Sequence, residues 1–150
     1  MTVAIHVINL VRPITKTLDF LTPALLLGTR LWVANVFFKS GLVKLQSFES
    51  TVFLFEFEYQ VPLLSPKIAA DLATFTELTF PVLLALGLGG RFSAIVLFIF
   101  NIVAVISYPD LHVVGVKDHQ LWGFMLAILV FYGPGTLSLD HFLMKKFARS

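Results

Sequence analysis

Long apolar runs, separated by short clusters of Gly, Pro and charge, set the pattern of this chain. About 20 largely apolar residues suffice for a helix to cross a bilayer. Four stretches predict such helices: 23–45, 66–88, 91–108 and 119–133. The first two open alike, with Thr22 or Ser65 as N-cap and Pro23 or Pro66 at the first helical position. Pro81 falls inside the second span, where a kink is tolerated because neighbouring helices re-satisfy the freed carbonyl. Gly89-Gly90 and Pro109 bound the third, and Gly133-Pro134-Gly135 ends the fourth. Spans three and four are slightly short, so tilt or extension into their flanks is expected.

Two further segments flank these spans. Residues 2–18 are apolar with Arg12 and Lys16, which predicts an interfacial helix interrupted at Pro13. The stretch FLFEFEYQ alternates aromatic or aliphatic with acidic or amide residues. Strict alternation predicts an extended segment with one greasy face, its aromatics at the membrane interface over the mouth of the bundle. A lid over a site is the alternative reading.

Composition agrees with this pattern and narrows the chemistry. The 150 residues are 57% hydrophobic and 13% charged, against roughly 25% charged in soluble domains, and the mean hydropathy is +0.88. The expected fold class is therefore an all-α membrane protein, a single domain over 1–150 built as a four-transmembrane-helix bundle in contact with the lipid bilayer. The absence of Cys removes thiol catalysis, disulfides and Cys-ligated metals or clusters. A net charge of +2, spread along the chain, gives no footprint for nucleic acid. Arg12 and Lys16, Arg91, and Lys145, Lys146 and Arg149 fall on one side of a four-span topology. Glu49, Glu56, Glu58 and the 110–118 loop fall on the other, which predicts both termini cytoplasmic. No removable signal peptide is recognisable at the N-terminus.

Arg30 and Glu77 stand out because each lies within a predicted span. A charge at bilayer depth costs at least about 2.5 kcal/mol on insertion scales, so such residues pair with each other or build a site. Counted from the predicted helix starts, they fall at similar depth. One reading is an ion pair that fixes helix register. The other makes Glu77 and Arg30 the candidate catalytic residues of a proton-handling or quinone-headgroup site, with Asn35 and Asn101 as neutral polar groups for cofactor binding or interhelical hydrogen bonds. Arg30, Phe37 and Gly41 share a helix face, with Lys44 slightly off it, and Gly41 permits close helix approach. Asn35 and Lys39 share a different face, so span one is surrounded by protein or has a partner outside the chain. His112 and His119, with Asp71, Lys117 and Asp118 nearby in topology, are the remaining metal-ligand types. Their spacing matches no metal motif, and no metal is expected. No nucleotide loop, nucleophile elbow or HExxH is present.

Arg30, the run FFKSGLVKL, the block TELTFPVLLALGLGGR and the tail GPGTLSLD together resemble the DoxX family over about residues 20–142. The positions that match its motifs are Arg30, Lys39, Gly41, Lys44, Glu77, Gly87, Arg91, Gly133, Gly135 and Asp140. The resemblance implies a multi-pass protein of the bacterial inner membrane. Relatives are linked to thiosulfate:quinone oxidoreductase small subunits and to membrane redox complexes that resist oxidative stress, so quinone is the compatible cofactor although none is firmly implied. The expected role is an accessory subunit of a quinone-linked complex, not catalytic alone, with a buried Arg/Glu pair shaping a quinol or proton site. Its partner would be another membrane or redox protein, or further copies in a homo-oligomer. The alternatives are a non-enzymatic scaffold or assembly factor and, behind it, a small transporter.

Overall fold

The computed structural model describes residues 2–148, with side chains from Val11 onward. Arg149, counted above among the basic residues of the tail, lies outside the described residues, as do the side chains of 2–10. Six helices follow in order: α1 (Thr2–Gln46), α2 (Phe48–Phe57), α3 (Pro66–Leu86), α4 (Gly90–Ser107), α5 (Val113–Tyr132) and α6 (Leu139–Phe147). Four of them are long and apolar enough to cross a membrane: Val11–Gln46, Pro66–Leu86, Gly90–Ser107 and Val113–Tyr132. The protein is thus a multi-pass, all-α membrane protein whose outer surface meets lipid.

The first span differs from expectation. Residues 2–18 are helical but continue into the span without a break, and Pro13 and Pro23 both lie inside α1. Thr22 is no N-cap: its Oγ1 donates to the Leu18 carbonyl one turn back, at 2.9 Å, as a threonine inside a helix does. Each proline deletes one backbone hydrogen bond, but no glycine lies between them, and the Thr15, Thr17 and Thr22 hydroxyls donate back to the Arg12, Pro13 and Leu18 carbonyls instead of capping a new helix start. At 1.5 Å per residue, α1 is about 68 Å long, roughly twice the hydrocarbon thickness. Span four also starts earlier than predicted, at Val113, so its 20 residues need no extension.

The first five residues of FLFEFEYQ are helical rather than extended, forming the end of α2, and Glu58, Tyr59 and Gln60 follow as a turn. Alternation brings Phe53 and Phe57 one turn apart, with ring centroids at 4.5 Å, while Phe55 turns inward onto Ala69, Ala70 and Ala73 of α3. Those three alanines let α2 lie close against α3. Thr51 Oγ1, donating to the Lys44 and Ser47 carbonyls at 3.1 Å each, ties the start of α2 to the end of α1.

Packing joins α1 to α3, α3 to α4, α4 to α5, and α5 back to α1, the ring expected when short loops connect antiparallel neighbours. The core consists of Leu26, Val33, Ala34 and Phe37 of α1 with Leu84, Ala94, Leu97, Leu126 and Leu129. Ser65 and Pro66 open α3 as the sequence predicts, and Gly87 closes it at φ +68°.

Candidate functional site

Two polar clusters lie at opposite ends of this ring. At the first, Arg30 is 1% exposed and its guanidinium donates to three carbonyls: Pro134, Leu137 at 2.8 Å and Ala85 at 3.3 Å. Those carbonyls belong to the α3 end and the 133–138 turn, two segments whose backbone acceptors no helix satisfies. Asp140 completes the cluster by accepting from Gly89 N at 2.9 Å and Gly90 N at 2.8 Å, which caps α4 from outside. Gly87 is required twice over. Its φ is left-handed, and a Cβ there would meet Ser138 Cβ at 2.5 Å and Arg30 Nη1 at 2.6 Å. Arg30, Gly87, Gly133, Gly135 and Asp140 therefore form one structural knot that ties the chain's tail to the bundle. Arg91, with a 3.4 Å contact to the Phe131 carbonyl, borders it.

At the second cluster, Gly41 of α1 meets α3 so closely that a Cβ would lie 2.9 Å from Glu77 Cβ and 3.0 Å from its carbonyl carbon. This contact sets the register of the two helices and brings Lys44 over Glu77. Lys44 Nζ lies 2.7 Å from Oε2 and 3.0 Å from Oε1 of Glu77. Ser40 bridges them, accepting from Lys44 at 2.9 Å and donating to Glu77 at 3.2 Å. The partner of Glu77 is thus Lys44, and the Arg30–Glu77 pair proposed from the sequence does not form. The two charges are eleven and ten residues from each other along the packed helices, counted through the Gly41–Glu77 contact and the Arg30–Gly87 contact, which is about 15 Å of helix.

The triad of Ser40, Lys44 and Glu77 faces a cavity of about 420 Å³. Phe37, Phe100 and Trp122 form apolar walls, with Phe37 edge-on to both other rings. Phe55 and Tyr59 cover it from α2 and the following turn, and Tyr59 stacks obliquely on Tyr108 with centroids 5.0 Å apart. Gln60 N donates to the Ser107 carbonyl at 2.7 Å and pins this cover to α4. Burial, and then the nearby Tyr108, Glu58 and Glu77, push the Tyr59 phenol above its usual range, so it stays a neutral O–H donor. Ser107 Oγ lines the same space, buried and without a hydrogen-bond partner among the described residues. Leu72 and Val103, both exposed, mark where the cavity reaches the outer surface between α3 and α4.

His119 lines the cavity beside Trp122, with ring centroids 4.7 Å apart. Asn101 Nδ2 donates to the His119 carbonyl at 2.9 Å, so its Oδ1 is the acceptor that faces His119 Nδ1 at 2.7 Å. Nδ1 carries the proton, and Nε2 is left with a lone pair. Asn101 itself lines a second groove of about 390 Å³ between α4 and α5 and holds His119 rather than the main cavity. Asn35, taken from the sequence as a cofactor contact, is exposed on the far face of α1 together with Lys39. His112 is exposed at the start of α5, and no group of three or more His, Cys, Asp or Glu side chains comes together among the described residues.

A family model, DoxX, matches residues 25–110, more than half of the chain. The protein belongs to the DoxX family. Comparison with curated proteins and with solved structures finds no match. The matched region holds Arg30, Lys39, Gly41, Lys44, Glu77, Gly87 and Arg91, and so both the Gly41–Glu77 contact and the Lys44 pair. The DoxX match stops short of His119, Trp122 and the 133–140 tail.

Sequence reading missed Ser40, Tyr59, Ser107 and Trp122 as cavity residues. The spacing of Ser40 and Lys44, one turn apart and flanking Gly41, is the signal from which the first could have been found.

Proposed function

We propose that this DoxX protein is an accessory subunit of a quinone-linked redox complex in the bacterial inner membrane, and that the cavity receives the headgroup of a quinol. The observation that carries the reading is an aromatic-walled cavity of ligand size with a lysine–glutamate–serine triad in its wall. A quinol presents two hydroxyls on a flat ring. Glu77 suits one as proton acceptor, Lys44 and Ser40 hold that carboxylate in place, and Trp122 and Phe100 flank the ring. His119 Nε2 offers a second acceptor, and the isoprenoid tail leaves past Leu72 and Val103 into lipid. The chain carries no Cys to hold an iron–sulfur cluster, and in this reading the electron-carrying cofactor is supplied by a partner. Arg12, Lys16, Arg91, Lys145 and Lys146 at the Arg30 end outnumber Lys39, Lys44, Lys67 and Lys117 at the α2 end, which supports cytoplasmic termini.

The test uses Trp122 as reporter, in protein carrying Trp32→Phe. Adding a short-tailed quinol should quench Trp122 saturably, and Ala104→Phe, which fills the cavity, should abolish the quench. Native mass spectrometry on protein gently extracted from its own membranes should show a bound quinone or a cofactor-bearing partner. Absence of both, with quinol turnover unchanged in Glu77→Gln, sinks the proposal. A scaffold role is the second reading, and it draws on the part of α1 that stands clear of the bundle with exposed apolar residues.

A further inference from the structure

Leu26 is the first residue of α1 to enter the core, and residues 11–21 before it are exposed throughout. Within this projecting part five of the six large apolar side chains follow a spacing of three and four, with Phe20, 81% exposed, off it. Val11, Ile14, Leu18, Leu21 and Leu25 are 45%, 58%, 59%, 52% and 69% exposed. The residues between them are Arg12, Pro13, Thr15, Lys16, Thr17, Asp19, Phe20, Thr22, Pro23 and Ala24, nearly all polar or proline. A helix lying on a bilayer presents a broad apolar face with basic residues along the other. A single seam at alternating three and four is the pattern of a coiled coil.

The same seam runs on into the span through Gly28, Trp32 and Asn35. Gly28 has no reason inside its own chain: a Cβ there would meet nothing within 4 Å, and glycine costs a helix about 1 kcal/mol relative to alanine. A neighbouring helix supplies the reason. In knobs-into-holes packing, Gly28 is one corner of the hole that receives the facing Trp32, a side chain 63% exposed here. Asn35 carries both a donor and an acceptor, so two Asn35 amides satisfy each other across a two-fold axis. Lys39, the next position on the seam, brings like charges together and sets the end of the contact.

We propose that α1 pairs in parallel with α1 of a second copy of this chain along Val11–Asn35. The self-complementary Asn35 amide, the Gly28–Trp32 fit and uncharged flanks together match a second copy as occupant. The positions that flank the seam in the projecting part are Thr15, Thr17, Thr22 and Ala24, so identical helices meet no repulsion there. Arg12, Lys16 and Asp19 point away from the seam. Pro13 and Pro23 also lie off it, and their missing N–H groups do not enter the contact. This dimer stands independently of the quinol reading, since no cavity residue takes part.

The chain has no Cys of its own, which makes single-cysteine scanning direct. Residues 14 to 25 would be replaced one at a time by Cys in the full-length protein, in native membranes and at native expression, then oxidised. Ile14→Cys, Leu18→Cys, Leu21→Cys and Leu25→Cys should give several-fold more disulfide-linked dimer than Lys16→Cys, Asp19→Cys or Phe20→Cys. All these positions are exposed, so folding is not at stake. A flat profile, cross-links to a different protein, or seam cysteines that neither cross-link nor react with aqueous thiol reagents would each overturn the dimer. The last result would place the seam in the bilayer surface.

Discussion

Lys44 reaches Glu77 at 2.7 Å, and the close approach of Gly41 to the same glutamate makes that contact possible. One glycine therefore sets both the helix register and the electrostatics of the cavity. Ser40, one turn before Lys44, turns the ion pair into a three-membered network with each charged group bound at least twice.

Breaking the network on one side should cost more than removing it. Lys44→Met leaves the Glu77 carboxylate, only 6% exposed, without a counter-charge. The expected loss is about 3 kcal/mol in unfolding from mixed micelles. Lys44→Met combined with Glu77→Leu should recover most of it, because no stranded charge remains. If the double variant loses the sum of the two single losses, the pair carries no coupling.

Gly41→Ala should destabilise the protein by about 1–3 kcal/mol, since the added methyl overpacks a helix contact against backbone atoms. It should also weaken quinol-induced quenching of Trp122 by pushing Lys44 off Glu77. Gly28→Ala, with open space around it inside its own chain, should leave the stability of the dissociated monomer unchanged or slightly raised. Measuring both variants by the same unfolding assay separates a packed glycine from an open one.

Arg30 should behave as a structural residue. Arg30→Lys keeps the charge but cannot fork to carbonyls of Ala85, Pro134 and Leu137. The expected cost is about 2–3 kcal/mol, with faster hydrogen exchange at Gly89, Gly90 and Asp140. Quinol quenching of Trp122 should persist in the folded fraction. Loss of quenching with stability intact would instead place Arg30 in the site.

The four spans were legible in the sequence because length and apolarity alone decide them. The site was only partly legible, and the reason lies in register. Arg30 and Glu77 fall at similar depth only if span one starts at Pro23 and both helices are counted from their ends. α1 has no start there, so counting from it misplaces Arg30, and the true register comes from Gly41 against Glu77. That contact was readable as a close approach, but not which residue it meets. FLFEFEYQ shows the matching limit for pattern: alternation also suits a helix when Phe53 and Phe57 pair one turn apart and small alanines on α3 accept Phe55. Residues from distant segments, such as Tyr59, Ser107 and His119, meet only through that packing and left no local signal.

Tyr59 gives the fold a pH dependence whose sign is fixed. Burial first, and then Tyr108, Glu58 and Glu77, raise its phenol above the ordinary value. The folded protein holds this proton more tightly than the unfolded chain, whose tyrosines titrate near pH 10. Stability from this group is therefore full below about pH 10 and is lost as pH rises from there through the folded value. Phenolate absorbance in the near ultraviolet should show one of the three tyrosines titrating above a free phenol, and Tyr59→Phe should remove that step. The variant should also lose less stability than the parent protein on going into strong alkali. A Tyr59 that ionises with the free phenol would mean that water reaches the cover of the cavity, and would count against a closed headgroup site beneath it.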